Sequence, residues 1–162
     1  MGMYIDEKVG MISYNGIDIK EMDMVDARRN FLSFAEQEPR LVSDTIRYNL
    51  TFNNNELEND NIAKYTEILN MHEFLNENTM DYVINETGAN TSGGEKQKVS
   101  ILKALYKDAP LMIFDEPTSA LDTKTTKKFF DYLEQVKSDK IIIIVTHDAS
   151  IMQRCTSVIE LG

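Results

Sequence analysis

Several things are scarce in this chain, and each shortage narrows what it can be. It has one cysteine, Cys155, in 162 residues. No intramolecular disulfide can form, and a reducing, cytoplasmic setting is expected. The longest apolar run, Ile141–Val145, is five residues, whereas a membrane span needs about 18 or more. Met1 to Gly10 carry acids where a secretory leader needs a basic flank and an apolar stretch. Cations are also few. Seventeen Lys and Arg against 27 Asp and Glu leave a formal charge of −10. That excludes nucleic acid as an expected partner, because backbone-phosphate binding rests on clustered Lys and Arg. Glycine is sparse too: the seven lie at positions 2, 10, 16, 88, 93, 94 and 162, and none precedes a lysine. The phosphate cradle Gly-x-x-x-x-Gly-Lys-Ser/Thr is therefore absent from these residues.

What is present suits one globular domain. Apolar residues make up 42% of the chain and charged residues 27%, enough for a core and unlike a disordered segment. The charge is uneven: residues 1–90 hold 7 Lys/Arg and 17 Asp/Glu, while residues 91–162 hold 10 of each. All the excess acid lies in the first part.

Leu111–Phe114 and Ile141–Val145 read as parallel strands buried on both faces, since short unbroken apolar runs imply cover on each side. Phe31–Glu36 is a third candidate strand and Ser157–Leu161 a fourth. Ser43 is placed to cap a short helix running through Leu50. Apolar residues at helical spacing predict helices over Asp60–Asn70, Gln97–Lys107 and Lys124–Val136. Strand, helix and strand from Leu111 to Val145 make a βαβ unit. The stretch 44–103 holds no strong strand and reads as a helical subdomain inserted into the sheet.

Three segments carry chemistry. Ser92 followed by Glu95 is a capping box, so a helix starts there; the intervening Gly93 and Gly94 leave its first-turn amides uncovered. Such a terminus is an anion site. Leu111-Met-Ile-Phe-Asp115-Glu116 is an apolar strand ending in two carboxylates, the form that holds Mg²⁺ beside a phosphate and polarises a water. Ser119-Ala-Leu-Asp122 follows, and His147 ends the next strand, where open α/β sheets place their ligands.

In order and spacing these elements resemble the nucleotide-binding domain of an ATP-binding cassette (ABC) transporter. Thr91–Glu95 is similar to its signature motif, Leu111–Asp115 to its Walker B strand and Glu116 to its catalytic carboxylate. Ser119–Asp122 resembles the D-loop, His147 the switch histidine and Gln37 the Q-loop glutamine. Pro39–Leu50 and Asn85-Glu-Thr-Gly88 are similar to the exporter type. The resemblance implies a partial P-loop NTPase sheet of α/β class, with residues 1–43 and 104–162 as ATPase core and 44–103 as a helical subdomain bearing the signature. It also implies roles. Asp115 and Gln37 would hold Mg²⁺, Glu116 would be the general base, and His147 would meet the γ-phosphate. Ser92, Gly93, Gly94, Glu95 and Asp122 would face nucleotide across a head-to-tail dimer of two such domains. A transmembrane partner would hold the pair at the cytoplasmic face of a membrane.

Relatives carry the P-loop before the segment resembling Met11–Asp18, so those elements are expected N-terminal to Met1. The chain alone is then expected to bind no ATP or Mg²⁺ and to be inactive. A non-hydrolysing module that pairs with a complete cassette is the alternative. With the P-loop strand missing, exposed edges and self-association are expected.

Overall fold

The structure is a computed structural model, described over residues 13–51, 59–71, 80, 81, 83, 84, 92–119 and 121–160. The expected exporter-type stretch at 85–88, Thr91 and Ala120 lie outside these residues.

The molecule is built on a parallel sheet of three strands, β3 (Leu32–Ala35), β4 (Leu111–Asp115) and β5 (Ile141–Val145), in that spatial order. Register pairs Ala35 with Phe114 and Asp115 with Val145, so the three strands end together. In order along the chain, the described helices are α1 (Met24–Asn30), α2 (Ile46–Thr51), α3 (Asn59–Ile68), α4 (Gly93–Lys107), α5 (Thr123–Val136) and α6 (Ala149–Met152). The fold is thus α/β with a parallel sheet, as the sequence implies.

The two faces of the sheet differ. Ala35, Met112, Phe114, Ile142 and Ile144 share one face by register, and it joins a core with residues of α2, α4 and α5. Phe114 meets Phe129 of α5 edge-on, with ring centroids 5.1 Å apart. On the other face Leu32 is buried, but Ile141, Ile143 and Val145 are 57%, 45% and 50% exposed. The expectation that β5 is covered on both sides is therefore corrected: no described element packs over its outer face. An unbroken apolar run states which side chains can be buried, not how many layers are present.

α4 starts where the capping box places it. Ser92 Oγ accepts from the Glu95 N–H at 3.2 Å and Glu95 Oε2 accepts from the Ser92 N–H at 2.7 Å. Losing such a cap costs about 1 kcal/mol. Its buried face, Val99, Ile101, Leu102 and Leu105, is the centre of the core. α4 continues unbroken through 103–104, where the expected subdomain boundary falls, and packs against β3, α2 and α3 alike. A second junction joins α3 to α5. Tyr65 and Tyr132 are both 4% exposed, their hydroxyls are 3.2 Å apart, and Lys64 Nζ lies 4.8 Å from the Tyr132 ring centre.

Two local readings are corrected. Thr45, not Ser43, caps α2: its Oγ1 accepts from the Tyr48 N–H, while Ser43 Oγ donates to the Ile84 carbonyl. Residues 157–160 of the fourth candidate strand are irregular, with Val158 and Ile159 exposed and no described strand beside them to complete a ladder. Further elements went unread. β1 (Ser13–Tyr14) and β2 (Ile17–Asp18) form a hairpin whose turn, Asn15-Gly16, has φ of 50° and 79°. Asn-Gly is the strongest short signal for such a turn. α1 is capped by Asp23, whose carboxylate accepts from the Val25 and Asp26 N–H groups.

Candidate functional site

Because the strands end together, the sheet's carboxyl edge gathers most of the residues singled out from the sequence. Gln37 lies two residues past β3 and is exposed; Asp115 closes β4 and Glu116 follows it; His147 lies two residues past β5. Of these, Glu116 and His147 are in direct contact.

Glu116 is the most constrained residue here. Its φ is 45°, a left-handed conformation for a side chain that rarely adopts it. Such strain costs about 1–3 kcal/mol and persists only where the surroundings hold it. The surroundings are specific. The Glu116 N–H donates to the Val145 carbonyl at 2.9 Å. Its carbonyl accepts from Gln97 Nε2 at 2.8 Å and from the Ser119 N–H at 3.2 Å. Its carboxylate crosses to the end of β5. Oε1 accepts from the His147 N–H at 3.1 Å and lies 2.8 Å from His147 Nδ1, while Oε2 is 3.4 Å from Thr146 Oγ1. The Glu116 side chain is 14% exposed and that of His147 is 89% exposed. One carboxylate oxygen is held by two nitrogens and the other weakly by a hydroxyl. Oε2 is therefore the more loosely held of the two oxygens.

The remaining expected residues lie around this edge. Ser92 and Gly93 are exposed at the N-terminus of α4, and a Cβ added at Gly93 would meet nothing within 4 Å. Glu95 turns its carboxylate back onto its own helix cap rather than outward. Asp122 caps α5, accepting from the Lys124 and Thr125 N–H groups at 2.9 Å and from Thr125 Oγ1 at 2.7 Å. Donation from the Thr125 main chain, then from its hydroxyl, holds the Asp122 carboxyl below the usual range, with Lys98 adding to it. Its local work is to fix the turn between β4 and α5.

Asp115 and Gln37 offer the hard oxygen donors that Mg²⁺ prefers. Among the described residues no group of three or more His, Cys, Asp or Glu side chains is placed to hold a metal by itself. That donor set fits an ion that takes one or two protein ligands and the rest from phosphate and water.

Gln97 was missed by sequence reasoning, which counted it only as the start of a helix. It is 4% exposed, and its Oε1 accepts from Ser119 Oγ at 2.7 Å. The available signal was a polar residue on the same helical face as Ile101 and Ala104.

An open parallel sheet with paired carboxylates at its carboxyl edge, beside a glycine-opened helix terminus, defines a nucleotide-binding type of α/β domain. Comparison makes this particular. The profile of the ABC transporter family matches residues 2–119, and the chain belongs to that family. ABC transporter B family member 1 of Dictyostelium discoideum is 33% identical over 161 residues, covering 98% of this chain and 18% of that protein. An ATP-dependent lipid A-core flippase of Vibrio parahaemolyticus is 32% identical over 159 residues, covering 96% and 27%. Among solved structures, a bacterial Atm1-family ABC exporter with ATP bound matches with a TM-score of 0.77 at 29% identity, over 90% of this chain and 26% of that one. The chain thus has the fold of an exporter's nucleotide-binding domain and spans about a quarter or less of the length of these relatives. Among the described residues no helix is long and apolar enough to cross a membrane.

Proposed function

We propose that these residues are the part of an ABC exporter cassette that runs from the Q-loop to the switch histidine, and that they couple ATP hydrolysis to transport within a larger assembly. The observation that carries the reading is the Glu116 carboxylate, held against His147 through one oxygen while the other has only a long bond from Thr146. Glu116 is the general base: Oε2 accepts a proton from the attacking water while Oε1 stays fixed on β5. His147, almost fully exposed, is the group that reaches the terminal phosphate. Asp115 and Gln37 would hold Mg²⁺, which would supply charge neutralisation at the phosphates. Ser92, Gly93 and Gly94 form the helix start that meets nucleotide from a second cassette, with Glu95 bracing the cap. Asp122 serves this interface indirectly, by fixing the turn that carries Ser119. A transmembrane partner places the pair at the cytoplasmic face of a membrane.

Nucleotide affinity is assigned elsewhere. No Gly-x-x-x-x-Gly-Lys-Ser/Thr occurs in these residues, and the net charge is −10. A triphosphate adds about four negative charges next to Asp115 and Glu116, and Mg²⁺ offsets only part of them. Titration calorimetry of the 162-residue chain with MgATP is expected to show no saturable heat and no phosphate release. Saturable binding that disappears on Asp115→Asn would overturn this division of labour.

A further inference from the structure

The backbone of Glu116 is left-handed immediately after an extended strand, and its carbonyl is the meeting point of a small closed network. Gln97 Nε2 donates to that carbonyl at 2.8 Å, and the Ser119 N–H donates to it at 3.2 Å. Ser119 Oγ lies 2.7 Å from Gln97 Oε1 and 3.1 Å from the same carbonyl. The hydroxyl has one proton, and Gln97 Oε1 is its shorter contact. Gln97 thus gives a hydrogen bond to the main chain of Glu116 and receives one from the turn that follows it. It does so while 4% exposed, from the second turn of α4, whose first turn bears Gly93 and Gly94.

We propose that Gln97 is a positioning residue for Glu116: it holds the Glu116 main chain in the left-handed conformation, and so aims the carboxylate at Thr146 and His147. The residue type follows from the chemistry. The site needs one donor and one acceptor on one uncharged planar group. Glutamate offers only acceptors and would set a carboxylate against a carbonyl; leucine offers neither. The network ties the second turn of α4 to the Glu116 main chain within one subunit. The base role of Glu116 rests on the proposed function; its positioning by Gln97 rests on the geometry alone.

The test reads the Glu116 carboxylate through its partner, the His147 amide. In Gln97→Leu, amide exchange at His147 is expected to quicken about tenfold as the carboxylate is released, while the Ile141 amide, bonded to the Pro110 carbonyl, keeps its rate. Ser119→Ala moves His147 in the same direction by less and serves as the probe if Gln97→Leu does not fold. The discriminating variant is Glu116→Gly, since glycine adopts positive φ without help. In that background Gln97→Leu should cost clearly less stability than in the parent chain. Equal losses in both backgrounds, unchanged exchange at His147, or equal quickening at His147 and Ile141 overturn the proposal. None of these readouts needs nucleotide. A failure of the proposed function shows separately, as unchanged ATP turnover on Glu116→Gln once the residues are joined to a phosphate cradle.

Discussion

Replacing Glu116 with glutamine is expected to lower ATP turnover by about 10²–10⁴-fold, the range general-base catalysis supplies, in a cassette that joins these residues to a P-loop. The structure makes this substitution a clean one. Glutamine matches the side chain in length, and its Oε1 can still accept from the His147 N–H that now binds Glu116 Oε1 at 3.1 Å. The left-handed main chain keeps its bonds to Val145, Gln97 and Ser119, none of which involves the carboxylate. What is lost is the capacity to take a proton at Oε2. The fall therefore belongs to kcat, with nucleotide affinity retained. Steady-state turnover alongside nucleotide binding separates the two. Turnover within about threefold of the parent would move the base role off Glu116.

The second large effect concerns stability. Phe129→Ala is expected to cost about 3–5 kcal/mol, a large share of the roughly 5–15 kcal/mol that holds a domain together. Phe129 is 0% exposed, meets Phe114 of β4 edge-on at 5.1 Å and Phe130 at 5.3 Å, and lies in the core shared by α4 and α5. Truncation leaves a cavity directly beneath the strand that ends in Asp115. Urea unfolding measures the loss. Lys127→Ala serves as the comparison, because its ion pair with Asp131 spans side chains 73% and 38% exposed and is worth about 0.5 kcal/mol or less. A Phe129→Ala loss no larger than that of Lys127→Ala would mean α5 is not anchored through this face.

How much of this was legible in the sequence depends on whether the signal was local. β4, β5 and α5 announced themselves by period, and α4 by its capping box, because each rests on contacts within a few residues or on one unbroken stripe. The meeting of Glu116 with His147 was legible in part: both residues end strands, and parallel register brings strand ends together. Gln97 was not, since its partners lie 19 and 22 residues away and nothing local marks them. The exposure of Ile141, Ile143 and Val145 could not be read from β5 either, as it depends on what packs across the sheet. The hairpin at Asn15-Gly16 was legible and overlooked: two-residue strands carry almost no periodicity, and only the turn speaks for them.

The Tyr65–Tyr132 junction gives the molecule an optical reporter of its own. The chain has seven tyrosines and no tryptophan, so its near-ultraviolet signal has no indole to mask it. Burial pushes both phenols above the ordinary tyrosine range; for Tyr65 the Tyr132 hydroxyl opposes the shift, and for Tyr132 the shared hydrogen bond adds to it. A raised folded-state value means the fold favours the neutral ring. That contribution is intact below the ordinary tyrosine value and fades as alkali carries the pH through the folded one. Tyrosinate absorbance from this pair is therefore a gauge of the seam between α3 and α5, readable without a label.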